Sequence, residues 1–135
     1  SGKEISSTEI WKTFEDNYLK PINNFSYIKH SSTTSDDIHS LELTMIINGN
    51  EKKIKGSGNG PIDSFINGLS SNLDVPIKVS DYQQSAISSG SDAKAAAYIE
   101  LEKDGKTFWG VGIHPNTTRA SFDAIIVGLS KLLKY

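Results

Sequence analysis

The 135-residue chain contains no cysteine, one methionine and four prolines. Without cysteine there can be no disulfide framework and no thiolate metal centre. No apolar run approaches the roughly 20 residues of a membrane-spanning helix. Charge of one sign is missing too. Fourteen Lys and Arg residues stand against sixteen Asp and Glu, for a net charge of -2. A nucleic-acid surface would show clustered basic residues, and none is present. No secretory leader is visible, so the expected compartment is the cytosol. The chain opens on Ser1 and reads as a piece of something longer. Length and composition (36 % hydrophobic, 22 % charged) suit one domain with a real core and exclude a disordered tail.

What is present is patterned. The stretch SSTEIWKTFEDNYL predicts a helix, with Ser6 and Glu9 at capping-box spacing and Ile10, Phe14 and Tyr18 on one face; Pro21 ends it. FSYIKHSSTT, from Phe25, predicts a strand. IHSLELTMII predicts a stronger one, with Leu41, Leu43 and Met45 sharing a face. NGN at 48–50 turns the chain back. A helix then opens near Pro61 with Ile62, Phe65, Ile66, Leu69 and Leu73 inward. VPIKVSDYQQSAIS is extended, and residues 88–93 form a loop. AKAAAYIELEKD is rich in alanine, yet Ala95, Ala97, Ile99 and Leu101 alternate before the Asp104-Gly105 turn, so it too is a strand. A last helix covers about Thr118 to Leu133.

This order conceals a repeat. Strand, turn, strand, GSGNGP and the helix with DSFINGL are followed by strand, turn, strand, GVGIHP and the helix with DAIIVGL. Gly56, Gly58 and Pro61 match Gly110, Gly112 and Pro115. Asp63 and Gly68-Leu69 match Asp123 and Gly128-Leu129 once six extra residues are allowed in the second half. The expected fold is α+β: duplicated β-β-β-α units with pseudo-twofold symmetry, antiparallel sheets covered by helices, and a preceding N-terminal helix. Residues 1–24 form that helix and a linker, and 25–135 the domain proper. In both halves a Gly-x-Gly step precedes a helix N-terminus, whose N–H groups suit a carboxylate or phosphate. The GVG copy is expected to pack under a neighbouring strand; the third glycine of GSGNG points to a ligand or partner at the backbone.

Catalytic chemistry is missing. GSGNGP breaks the dinucleotide spacing and lacks the Lys-Ser/Thr of a P-loop. His30, His39 and His114 show no metal-ligand spacing, and the first two are expected on strand surfaces. No nucleophile elbow surrounds Ser85, Ser88, Ser89 or Ser91, and Asp36-Asp37 reads as a solvated loop. A binding or regulatory module is the better class.

GSGNGPIDSFINGL, DYQQSAISSGSDAKAAAYIEL and WGVGIHPNTTRASFDAIIVGL, in this order, resemble the C-terminal regulatory domain of 2-isopropylmalate synthase; a related domain occurs on citramalate synthase. The likeness covers about residues 40–133. It implies a domain that binds leucine as feedback inhibitor, forms a homodimer near that site, and is attached to a metal-dependent TIM barrel that condenses acetyl-CoA with 2-oxoisovalerate. It implies no cofactor, nucleic acid or membrane for the domain itself. Carried over by position, Ile62, Val79, Tyr82, Ala86 and Ile113 would surround the leucine side chain. Gly58, Gly60 and Pro61 would bring backbone to its head group. Ser91, Asp92 and Ala93 would supply a second loop, and His114 and Asn116 a third. Many relatives carry Glu-His where this chain has Gln84-Ser85. Alternatives are an isoleucine-sensing domain of the citramalate synthase type and a ligand-free dimerisation module.

Overall fold

The computed structural model describes residues 24–87 and 93–134. The predicted N-terminal helix falls outside them. The first unit is β1 (Ser26–Ser35), β2 (Ile38–Ile47), β3 (Asn50–Gly58) and α1 (Pro61–Leu73). The second is β4 (Lys78–Ala86), β5 (Ala95–Lys103), β6 (Lys106–His114) and α2 (Thr117–Lys134). Each unit's strands form an antiparallel three-stranded sheet in sequence order, so the fold is α+β with the expected β-β-β-α duplication. The β2 and β5 strands carry the faces their alternation predicts. Leu41, Leu43 and Met45, and Ala95, Ala97, Ile99 and Leu101, all enter the core.

The turns follow from residues that accept a left-handed backbone. Asn48-Gly49 and Asp104-Gly105 have φ of 51° and 80°, and of 51° and 78°. That two-residue geometry matches the twist of the strands it joins. Asp36-Asp37, expected to be a solvated loop, is a third such turn, with φ of 52° and 66° between the paired Ser35 and Ile38. Asp tolerates this region, although less readily than glycine, so the hairpin carried no glycine signal.

The Gly-x-Gly steps lie inside strands and do not follow them. A Cβ on Gly56 would collide with the Ser64 carbonyl of α1, and one on Gly110 or Gly112 with the Ala124 or Ala120 carbonyl of α2. The glycines therefore let each helix backbone lie against its own sheet. The expectation for GVG needs correcting, because what lies over it is a helix and not a strand. The first glycine of GSGNG serves the same packing purpose. The collisions also align the helices. Gly56 meets Ser64 and Gly68 where Gly110 meets Ala124 and Gly128. Asp63 thus corresponds to Asp123 and Ile62 to Phe122, and the six extra residues sit at the start of α2.

The outer faces of the two sheets differ. Opposite its helix, the first sheet presents Lys29, Glu42, Lys53 and Lys55, with Lys53 and Glu42 3.7 Å apart. The second presents Ala96, Tyr98, Trp109, Val111 and Ile113, with Glu100 and Glu102 toward one end. Ala96 and Val111 are buried but stand apart from the main core cluster.

Candidate functional site

A cavity of about 740 Å³ opens where the start of α1 faces β4. Its size is within the roughly 300–1,000 Å³ of small-molecule sites. Gly60, Pro61 and Ile62 come from the first unit, and Ile77, Val79 and Tyr82 from the second. Ile62 and Val79 are half-buried, and Tyr82 is 40 % exposed, so the apolar lining stays open to solvent. The Tyr82 hydroxyl lies 3.4 Å from Ser121 Oγ, which donates to the Thr117 carbonyl, so the ring leans toward the first turns of α2.

Polar groups ring one end. Asp63 Oδ2 accepts the Asn59 backbone N–H at 3.0 Å, and Lys78 lines the same cavity. Opposite charges therefore flank an apolar slot. The helix start behind them has no side-chain cap: Gly60 stands at the N-cap and Pro61 opens the first turn. The other helix start differs, since Asn116 Oδ1 accepts the Arg119 N–H at 2.9 Å. A Cβ on Gly60 would meet nothing within 4 Å. Among the described residues no helix excludes a side chain at that position. Its backbone is extended, with φ of -171°, so no left-handed conformation demands glycine either.

The thirteen residues singled out from the sequence are not all gathered here. Gly60, Pro61, Ile62, Val79 and Tyr82 line the cavity. Gly58 stands at the end of β3, where a Cβ would run into the Asp63 carboxylate. Ala86 ends β4, exposed; Ala93 precedes β5, also exposed. Ile113 is on the outer face of the second sheet. His114 Nδ1 accepts the Asn116 backbone N–H at 2.9 Å, and Asn116 caps α2. Ser91 and Asp92 lie outside the described residues. One chain thus holds five of the thirteen together and leaves Ala86, Ile113, His114 and Asn116 at the far end of the second sheet.

Sequence reasoning missed Asp63, Ile77 and Lys78. Asp63 was only a marker of the repeat, and Lys78 looks like any solvated lysine. His30 and His39 also need correcting. His30 packs edge-on against Phe122 with centroids 5.0 Å apart, and His39 Nδ1 meets Ser64 Oγ at 3.0 Å; neither lies free on a strand surface. Among the described residues no group of three or more His, Asp or Glu side chains is placed to hold a metal ion. No helix among them is long and apolar enough to cross a membrane.

Residues 4–133 match the family model described as the LeuA allosteric (dimerisation) domain. Among curated relatives, the 2-isopropylmalate synthase of Mycobacterium ulcerans is 38 % identical over 133 residues, covering 96 % of this chain and 23 % of the relative. That of Thermobifida fusca is 37 % identical over 132 residues, 96 % of this chain and 23 % of the relative. That of Paraburkholderia xenovorans is 34 % identical over 134 residues, 97 % and 23 %. The chain spans about a quarter of the length of these relatives.

Proposed function

The chain belongs to the LeuA allosteric (dimerisation) domain family, and from that premise we propose that it is the regulatory domain of a 2-isopropylmalate synthase and binds leucine in the cavity between α1 and β4. The observation that carries this reading is an apolar slot flanked by a carboxylate, an ammonium and an uncapped helix start. Leucine is a zwitterion with a branched apolar tail. Its carboxylate fits the N–H donors of the first turn of α1 and Lys78. Its ammonium fits Asp63. Its side chain fits Ile62, Ile77, Val79 and Tyr82, and burying such a group contributes about 1.5–3 kcal/mol. Gly60 leaves the space that a side chain would take.

In this reading the domain works as a homodimer that pairs through the outer face of the second sheet. Tyr98, Trp109, Val111 and Ile113 give that face an apolar patch beside Glu100 and Glu102, whereas the first sheet's outer face carries Lys29, Glu42, Lys53 and Lys55. Ile113 and Ala86 then belong to the paired assembly and not to one chain's cavity. Leucine inhibits a distant catalytic barrel by favouring one arrangement of the paired domains, which requires unequal affinity for the two arrangements. The chain itself carries out no reaction.

The test is thermal unfolding with leucine, isoleucine and valine added separately. A ligand that binds only the folded chain raises its stability, by about 2.7 kcal/mol at a hundredfold excess over Kd. The largest shift with leucine supports the reading. The largest shift with isoleucine moves the parent to the citramalate synthase type. No shift with any of the three, beside a stable dimer, leaves a ligand-free pairing module.

A further inference from the structure

The repeat makes the α1–β4 cavity one of a pair. Gly56 pairs with Leu41 across the first sheet, and Gly110 with Ile99 across the second. In the same registers Ser32 lies opposite Leu41 and Tyr82 opposite Ile99; His30 lies opposite Leu43 and Val79 opposite Leu101. Ser32 therefore stands for Tyr82, His30 for Val79 and Phe122 for Ile62. These three counterparts line a second cavity, of about 380 Å³, where the start of α2 faces β1. Where Ile62, Ile77 and Val79 line the first cavity, Arg119, Asn116, Thr118, Ser32 and two imidazoles line this one beside Pro61 and Phe122.

We propose that this second cavity is a binding site for a small oxyanion, a carboxylate or phosphate group, seated among Arg119, His30, His39 and Ser32. Among the described residues no carboxylate lines it. The Arg119 guanidinium is held in place by the Tyr27 ring 3.7 Å away and by its Nε–H to Asp123 Oδ1 at 3.3 Å. Among the described residues no partner takes its two terminal nitrogens, which leaves the planar fork that suits an oxyanion. Ser64 Oγ has one proton and two carbonyl acceptors, Gly60 O at 2.7 Å and His39 O at 2.9 Å. It therefore accepts from His39 Nδ1–H. His30 Nδ1 is tied to the Tyr27 hydroxyl at 2.7 Å, and a proton taken up by its ring adds positive charge to the cavity wall. Arg119, the two imidazoles, Asp123 behind Arg119, and His114, whose charge reaches Asp123, are the charged and titratable groups concerned. Anion binding and proton uptake are thus coupled, and affinity rises as pH falls.

The test is a titration of the labelled full chain with sodium sulfate and, separately, sodium acetate, each against sodium chloride at equal ionic strength. Imidazole and Arg119 resonances are followed at about pH 5.5 and about pH 8, on either side of the ordinary imidazole pKa of about 6.5. The expected result is saturable movement of His30, His39 and Arg119 with at least one oxyanion, several-fold tighter at the lower pH, while Ile62 and Val79 stay still. Stronger sulfate binding assigns a phosphate-type ligand, and stronger acetate binding a carboxylate. Arg119→Gln should abolish binding. Thr118→Glu, a substitution favourable in the first turn of a helix, should do so with the fold intact. Chloride acting as well as either oxyanion, or binding that survives Thr118→Glu in the folded variant, overturns the proposal. Leucine is absent throughout, so the outcome is independent of the leucine reading.

Discussion

The two units share strand order, turn geometry and glycine packing, yet they differ at the start of their helices. α1 begins directly on Pro61 with no side-chain cap. α2 is capped by Asn116, and its opening turns supply Arg119 over Tyr27 and lead into Phe122, against both His30 and Phe65. The six extra residues of the second half build this reach across to the first unit. The shorter helix start leaves an apolar hollow against β4, and the longer one makes a polar seam against β1. Duplication supplied two equivalent places, and one insertion, together with His30 and Ser32 standing where the other unit has Val79 and Tyr82, gives them different chemistry.

The sharpest way to break the comparison is to truncate equivalent residues. Phe122→Ala should cost about 3–5 kcal/mol, because Phe122 is fully buried and joins the units. Ile62→Ala should cost clearly less, since Ile62 is half-buried at the mouth of its cavity. Denaturant unfolding of both variants measures the difference, and equal losses would show that the seam carries no special load.

Glycine substitutions come next. Gly110→Ala drives a methyl into the Ala124 carbonyl and should destabilise by about 1–3 kcal/mol. Gly60→Ala meets open space, so stability should change by less than about 1 kcal/mol while leucine affinity falls. Calorimetric titration beside unfolding separates the two effects.

The seam should also show in pH dependence. Burial first, then the charges of Arg119 and His39, lower the pKa of His30 in the folded chain. The unfolded state therefore takes up the proton first. This part of the stability is present above the unfolded value of about 6.5 and is lost as pH falls through it toward the lower folded value. His30→Gln should flatten that slope. Asp123, raised chiefly by burial, acts with the opposite sign, its share fading as pH rises through its folded value, which lies above the ordinary 3.8.

The smallest effect concerns the β1–β2 hairpin. Asp37→Gly relieves a non-glycine left-handed residue and should stabilise by about 0.5–1 kcal/mol, a gain unavailable at the other two hairpins, where glycine already holds the second turn position.

Strands, helices and the duplication were legible because side-chain alternation and helical spacing are local properties. IHSLELTMII and AAAYIELEK read correctly even where alanine favoured helix, since the faces they must bury alternate. The Asp36-Asp37 turn was hidden because its residues carry only a weak turn signal. Half of the candidate site was legible through resemblance, at Gly60, Pro61, Ile62, Val79 and Tyr82. Asp63, Lys78 and the Arg119 seam were not. Each becomes distinctive only when α1 meets β4 or α2 meets β1, and sequence spacing does not encode those contacts. The glycines misled for a similar reason: a bare backbone looks the same whether a ligand or a helix lies against it.

The most direct test of the central claim, that the apolar member of the pair is the effector cavity, is a leucine titration followed on methyl and ring resonances of the full chain. The account predicts saturable shifts at Ile62, Ile77, Val79 and Tyr82, with Gly60→Ala weakening them and His30 unmoved. Leucine shifts centred on His30, Arg119 and Phe122, or none at all, would contradict it.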